Sequence, residues 1–307
     1  MQDAPRVGLL AVPGATLYFK VRGDGPVLLM LPGGDGDADA TDALAERLAG
    51  RYTVVGYDRR GLTRSPLHDQ NTAVDVATHS DDAARVLAAV TDSPALVFGV
   101  SLGALVGLDL ICRHPQRVRL LVAHEPPATE LLPERDREQA ASGQEEIERL
   151  YRSEGMAAAM RQFLALAGVD ITDREADVAP PQPKPERIAN LTFFLTHDAP
   201  AVRRYRLDWP GLHAAADRIV PAAGATSTTG FAHRCAHALA AELGQPLVKF
   251  PGGHSGFILR PAGFAARLHE VLEQPTRHGT GAGEAIDPAE SRVRPDAGPP
   301  ARPVSRR

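Results

Sequence analysis

Short apolar runs alternate with longer segments of helical periodicity along most of this chain. The apolar runs predict β-strands at residues 15–21, 27–31, 54–57, 95–98, 118–123, 219–223 and 247–250. Apolar residues at helical spacing predict helices at residues 75–90, 102–113, 231–243 and 261–273. This alternation is typical of α/β proteins with a mostly parallel, doubly wound sheet, and we predict that fold class.

Residues 126–212 interrupt the alternation. They contain charged, helix-like stretches and a proline-rich break at residues 180–185, but no strong strand. We therefore predict a core formed by residues 1–125 and 213–273, with an inserted helical cap at residues 126–212. Residues 274–307 are rich in Gly, Pro, Arg and Ser without periodicity, which predicts a disordered tail.

Composition narrows the function classes. A net charge of −4 with 23% charged residues gives no reason to expect nucleic acid or an anionic membrane as partner, which favours a small-molecule substrate. The two cysteines, Cys112 and Cys235, lie far apart and argue against a disulfide scaffold. No apolar run reaches the roughly 20 residues that span a bilayer. We expect a cytoplasmic protein, and its oligomeric state stays open.

A serine motif lies between the fourth predicted strand and the helix that follows. Residues 99–103 read Gly-Val-Ser-Leu-Gly, the pattern of a nucleophile elbow. Glycines two places before and after Ser101 allow a turn tight enough to present its hydroxyl. The backbone N–H of Leu102 is then free to bind an oxyanion.

A histidine motif follows the last predicted strand. His254 lies within Pro-Gly-Gly-His-Ser-Gly at residues 251–256, where glycines let the backbone present the ring. An imidazole can accept the Ser101 proton near neutral pH and return it, so we interpret His254 as the base. His233 and His237 lie four apart on one predicted helix, but no third ligand is evident, and we predict no metal site.

These motifs together resemble the α/β-hydrolase family from about residue 7 to residue 273. The family's parts occur in order: a Gly-rich loop at residues 33–36, Tyr-Asp-Arg-Arg-Gly-Leu-Thr-Arg-Ser at 57–65, the elbow, the helical insertion and the His254 turn. The resemblance implies a Ser-acid-His hydrolase core with a helical cap that needs no metal or organic cofactor. It does not identify the substrate, because this fold carries many chemistries.

The resemblance also guides the choice of the acid. The commoner family pattern has an aspartate in the loop after residues 219–223, whereas this loop reads Gly-Ala-Thr-Ser and gives Ser227 no expected role. Some family members carry the acid after the strand that follows the elbow helix, where this chain has Glu125. That strand is expected beside the elbow strand, so we predict Glu125 as the acid. The alternative is that Glu125 only caps the first cap helix or pairs with a cap arginine. Asp58 is another acid at the carboxyl end of a strand, but its Asp-Arg-Arg-Gly segment resembles the family's structural turn, where the charge ties neighbouring loops together.

The second oxyanion donor follows from the same resemblance. Residues 31–36 read Leu-Pro-Gly-Gly-Asp-Gly at the family's position, which implies the backbone N–H of Gly34 beside that of Leu102. The family often has a histidine before this glycine, and Pro32 stands there instead. Proline at this position leaves the backbone N–H of Gly34 able to donate, but the sequence does not show what holds the loop in place. The alternative to an oxyanion loop is a flexible Gly/Asp turn.

These residues predict a serine hydrolase that cleaves a small to medium apolar ester or lactone through an acyl-enzyme. One alternative uses the same triad for cofactor-free haloperoxidase or perhydrolase, C–C hydrolase or acyltransfer chemistry. Another is a non-catalytic small-molecule-binding homologue, suggested by Ser227 in place of the aspartate. Serine at the elbow argues against haloalkane dehalogenase and epoxide hydrolase chemistry, which uses an aspartate there. Apolar cap residues could line the pocket: Phe163, Leu164, Leu166, Leu191, Phe193, Phe194 and Leu195.

Overall fold

The computed structural model describes residues 4–69, 72–179 and 185–274. Within them, one sheet contains the strands β1 (Arg6–Val12), β2 (Ala15–Arg22), β3 (Val27–Leu31), β4 (Thr53–Tyr57), β5 (Ala95–Val100), β6 (Val118–His124), β7 (Ile219–Gly224) and β8 (Val248–Phe250). The strand order is β1-β2-β4-β3-β5-β6-β7-β8. Only the pairings of β1 with β2 and of β2 with β4 are antiparallel. The predicted fold class is confirmed.

Helices surround this sheet. They are α1 (Asp42–Leu48), α2 (Val76–Val90), α3 (Leu102–Arg113), α4 (Glu134–Glu154), α5 (Met156–Ala167), α6 (Pro185–Phe193), α7 (Ala199–Arg204), α8 (Trp209–Ala214), α9 (Phe231–Glu242), α10 (Gly256–Leu259) and α11 (Pro261–Glu273). A π-helical turn, Phe194–Asp198, joins α6 to α7. Asp75 caps α2, since its side chain accepts a hydrogen bond from the Thr78 backbone N–H.

The core lies on both faces of the sheet. Along β3, Leu29 and Leu31 pack into one apolar cluster with residues of α2 and α3. Leu28 and Met30 pack into the other, with residues of α1 and α11. A strand buried on both faces has no solvent-facing positions, which is why β3 reads as a continuous apolar run.

Strand β1 and the short helices α1 and α10 of the core were not predicted from the sequence. Strand β1 lies at the sheet edge and pairs only with β2, and its Val7 and Leu9 are 62% and 69% exposed. The apolar side chains of β1 therefore carry no signal of burial. Helix α1 has only seven residues, too few for a clear helical period.

Helices α4 to α8 lie between β6 and β7 in chain order, where the sequence predicts a cap. Most of the proline-rich break and nearly all of the predicted tail, residues 180–184 and 275–307, lie outside the described residues. None of the helices described is both long and apolar enough to cross a membrane.

Candidate active site

Ser101 occupies the turn between β5 and α3. Its φ and ψ are 54° and −123°, in a region that non-glycine residues seldom adopt, so the turn is strained. The flanking glycines permit this turn. A Cβ atom at Gly99 would lie 2.5 Å from the Gly103 carbonyl oxygen, and one at Gly103 would lie 1.9 Å from that of Leu31.

The parallel register places Glu125 beside this turn. The Ser101 N–H donates to the His124 carbonyl at 2.9 Å, and the Glu125 N–H donates to the Ala222 carbonyl at 2.9 Å. Glu125 therefore lies directly after β6, between the carboxyl ends of β5 and β7. Its φ of 50° turns the chain sharply out of the sheet.

The carboxylate of Glu125 contacts His254. Glu125 Oε2 lies 2.7 Å from His254 Nδ1, and both side chains are buried. The other oxygen, Oε1, accepts from the Gly224 N–H at 2.9 Å and from the Ser227 hydroxyl. His233 Nδ1 lies 3.3 Å from the same oxygen. The structure thus brings the sequence-predicted acid and base together.

These contacts determine the protonation of the pair. Burial alone would raise the pKa of Glu125, but hydrogen bonds with His233 and His254 and the charge of His254 hold that pKa well below its ordinary range. An ionised carboxylate accepts only, so His254 Nδ1 must donate to it. In neutral imidazole the other nitrogen, Nε2, is then an acceptor and can receive a proton.

Ser227 and His233 are site residues that sequence reasoning missed. No sequence motif assigns Ser227 a role, yet its hydroxyl donates to the Glu125 carboxylate from the loop where the commoner aspartate would stand. In the sequence, the only pattern that involves His233 is its weak metal-like spacing with His237. Their rings lie 5.1 Å apart, but within the described residues no group of His, Cys, Asp or Glu could hold a metal ion. The available signal was the position of His233 in the first turn of α9, at the same sheet edge as Glu125.

The Gly-rich loop after β3 lies against Ser101. A Cβ atom at Gly33 would lie 3.5 Å from the Ser101 Cβ, and one at Gly34 would lie 2.3 Å from the Phe194 ring. Leu102 begins α3, so its N–H is among the first four of the helix, which lack an intrahelical acceptor. The two predicted oxyanion donors are therefore on segments that both adjoin Ser101.

Arg59 braces this loop. Its buried guanidinium donates to the carbonyl oxygens of Pro32, Gly33 and Gly34 at 3.2, 2.9 and 2.7 Å. It also donates to Asp198, in the π-helical turn, at 3.1 Å. The loop is thus held by a side chain from the turn that follows β4.

Asp58 ties neighbouring loops together. Its Oδ1 accepts from the Ala38 N–H at 2.8 Å, and its Oδ2 accepts from Arg64 Nε at 2.7 Å. The carboxylate thereby joins the segments after β3 and β4. This position fits the structural-turn alternative for Asp58.

A pocket of about 570 Å³, measured with its open mouth, adjoins Ser101. Four of the seven apolar cap residues considered from the sequence line it: Phe163, Leu166, Phe194 and Leu195. Phe193 instead packs in the core, where its ring lies close to Gly61. Glu148 and Arg203, which form an ion pair with each other, add charge to the pocket wall.

Comparison with known proteins agrees with this architecture. Residues 26–167 match the family model for the alpha/beta hydrolase fold. The uncharacterized hydrolase YraK of Bacillus subtilis (strain 168) is 39% identical over 275 residues, covering 88% of this chain and 97% of YraK. A zearalenone hydrolase of Bionectria ochroleuca is 30% identical over 122 residues, which cover 39% of this chain and 46% of that protein.

The solved structures extend the likeness in fold. A thermophilic esterase from Thermogutta terrifontis superposes with a TM-score of 0.65 at 19% sequence identity, covering 88% of this chain and 98% of the esterase. A likeness at this identity shows the fold alone. The identity to YraK extends over nearly the whole length of that protein and shows more than a shared fold. The chain belongs to the α/β-hydrolase family.

Proposed function

We propose that this protein is a serine hydrolase that cleaves small to medium apolar esters or lactones through an acyl-enzyme. The observation that carries the proposal is the Glu125–His254 contact at 2.7 Å, beside a strained elbow that presents Ser101 to a pocket. Strained backbone and a buried, ionised carboxylate are both costly, and they cluster at functional sites.

In this mechanism Ser101 Oγ attacks the acyl carbon while His254 Nε2 accepts its proton. The carbonyl π electrons move to the oxygen, which becomes the oxyanion, and collapse of this intermediate expels the alkoxide with the proton from His254. Glu125 holds the Nδ1–H tautomer and stabilises the imidazolium. Water then attacks the acyl-enzyme by the same proton route and releases the acid.

The backbone N–H groups of Gly34 and Leu102 bind the oxyanion in this proposal. Such preorganised donors stabilise charge that develops only in the transition state, and each is worth about 3 kcal/mol in comparable sites. The Phe194 ring lies where a side chain at position 34 would be. Any residue other than glycine at this position would therefore require the loop or the ring to shift.

The pocket supports a substrate of limited size. Part of the volume of about 570 Å³ is open solvent, so the enclosed part is smaller and suits a small to medium group. Its wall is mostly apolar, which suits an aliphatic or aromatic acyl or alcohol group. The Glu148–Arg203 pair offers one polar anchor within that wall.

The non-catalytic alternative rested on the absent aspartate at Ser227. Glu125 supplies a carboxylate to His254 from the neighbouring strand, so this absence no longer argues against a complete triad. The perhydrolase, C–C hydrolase and acyltransfer alternatives use the same residues, and product analysis separates them.

The proposal is tested by a screen of p-nitrophenyl esters of increasing acyl length and of lactones, with and without hydrogen peroxide or an alcohol acceptor. We expect hydrolysis without either additive, and Ser101→Ala should lower kcat/KM by about three orders of magnitude or more. Ser153→Ala, which changes an exposed serine on α4, is the matched control and should keep wild-type activity. Full activity of Ser101→Ala would contradict the proposal.

A further inference from the structure

Arg59 connects three parts of the molecule. Its side chain is 2% exposed, and its guanidinium contacts the Gly-rich loop on one side and the Asp198 carboxylate on the other. Three successive carbonyl groups of the loop accept its hydrogen bonds. A fixed cation that contacts consecutive peptide groups restricts their rotation more than a single bond would.

The orientation of these peptides decides where the loop's donors point. The carbonyl of Gly33 and the N–H of Gly34 belong to the same peptide, and in a trans peptide they point in opposite directions. With the Gly33 carbonyl on Arg59, the Gly34 N–H points away from the guanidinium. Donation to the carbonyl also polarises the peptide and strengthens its N–H as a donor.

We propose that Arg59 is a positioning residue that orients and polarises the Gly34 N–H for the oxyanion. The inference rests on the proposed function, because it assigns Gly34 as an oxyanion donor. Arg59 acts through the peptide and does not itself touch the substrate.

The π-helical turn contacts both Arg59 and the Gly-rich loop. Asp198 accepts from Arg59 Nη2 at 3.1 Å and from His79 Nε2 at 3.0 Å, and all three side chains are buried. Phe194, at the start of the same turn, packs over Gly34. One segment of the helical insertion therefore fixes both the oxyanion loop and the guanidinium that orients it.

The adjacent Arg60 provides a matched control. It is equally buried and makes a bidentate ion pair with Asp82, at 2.7 Å for both hydrogen bonds, and a further bond to the Pro13 carbonyl. It makes no hydrogen bond to the loop among the described residues. Loss of Arg60 therefore removes a buried ion pair of similar kind without touching the oxyanion donors.

The experiment compares Arg59→Lys, Arg59→Gln and Arg60→Lys with the wild type. A lysine at position 59 keeps the charge but cannot reach three carbonyls and Asp198 together. The readouts are kcat, KM and the inhibition constant for an alkyl trifluoromethyl ketone, which adds to Ser101 and places an anionic oxygen at the Gly34 donor. The parent methyl ketone is the control ligand, because it binds without forming that oxyanion.

We expect both Arg59 variants to lower kcat about 10- to 100-fold with KM changed less than threefold, and to raise the trifluoromethyl ketone inhibition constant in parallel. The Arg59 variants should bind the methyl ketone as the wild type does. Arg60→Lys should leave kcat, KM and the trifluoromethyl ketone inhibition constant at their wild-type values. Asp198→Asn keeps Arg59 but removes its counter-charge, and we expect an intermediate effect on kcat and on the trifluoromethyl ketone inhibition constant. This variant serves as the test if the Arg59 variants fail to fold.

The outcomes separate this inference from the proposed function. Wild-type inhibition by the trifluoromethyl ketone that is lost in Ser101→Ala supports the serine mechanism. If the Arg59 variants and Asp198→Asn then keep wild-type inhibition constants, the positioning role is refuted. If the wild type forms no such adduct and Ser101→Ala stays active, the proposed function itself fails.

Discussion

His124 should make the stability of this protein depend on pH. The residue is completely buried beside Glu125, and its ring packs against Phe250 and Phe264 with centroids 5.8 and 5.5 Å away. Neither ring nitrogen has a hydrogen-bond partner within the described residues. Burial lowers the pKa of His124 from its ordinary 6.5 to about 4, although the charge of Glu125 opposes this effect.

The sign and size of the effect follow from proton linkage. Between pH 6.5 and 4 the unfolded chain binds a proton at His124 that the folded protein does not, so the free energy of unfolding falls as pH falls. A pKa difference of this size corresponds to about 3.4 kcal/mol once the pH lies below both pKa values. Between pH 7.5 and 4.5 the expected loss is about 2.5 kcal/mol.

The substitution His124→Phe removes this titration and keeps an aromatic ring between the two phenylalanines. Urea unfolding followed by the fluorescence of the single tryptophan, Trp209, gives the free energy of unfolding of each protein at both pH values. At pH 7.5 the difference between the proteins reports packing alone. The variant should lose about 2.5 kcal/mol less than the wild type on going to pH 4.5. Equal losses in the two proteins would refute the reasoning.

Three further predictions concern the acid, its hydroxyl partner and the tail. Glu125→Gln should lower kcat by about two to four orders of magnitude with an unchanged circular dichroism spectrum, and normal turnover would contradict the acid assignment. Ser227→Ala removes a hydrogen bond to the ionised carboxylate, worth about 1.5 kcal/mol, so kcat should fall about tenfold, whereas an unchanged kcat would give the hydroxyl no part in catalysis. Truncation after residue 274 should leave Tm and kcat/KM nearly unchanged, since the removed sequence has little apolar surface against an ordering cost of about 1 to 2 kcal/mol per residue. A large loss of either would show that the tail packs on the core.

Most of the fold could be predicted from local sequence patterns. Strands β3 and β5 are buried on both faces, so each appears as a continuous apolar run that needs no tertiary information. Strand β1 has no such signal, because it is held by backbone pairing with β2 and exposes Val7 and Leu9.

The site was predictable where the chemistry lies in one motif. Ser101 and His254 each follow a strand in a glycine-rich turn. Glu125 was predicted from the family resemblance together with the expected adjacency of β5 and β6. The contacts of Ser227 and His233 with Glu125 join residues about 100 positions apart, and the only sequence signal for them is the position of His233 in the first turn of α9. The Arg59 brace likewise appears only when the turn after β4, the Gly-rich loop and Asp198 meet in space.

The central claim is that His254, oriented by Glu125, activates Ser101. The most direct measurement is the rate of labelling by a fluorophosphonate, in which Ser101 Oγ forms a bond to phosphorus and fluoride leaves, with the modified residue located by mass spectrometry. We expect one label on Ser101 in the wild type, none in Ser101→Ala, and labelling slowed by about two orders of magnitude or more in His254→Gln. A wild type that takes no label, a label on another residue, or an unchanged rate in His254→Gln would contradict the claim.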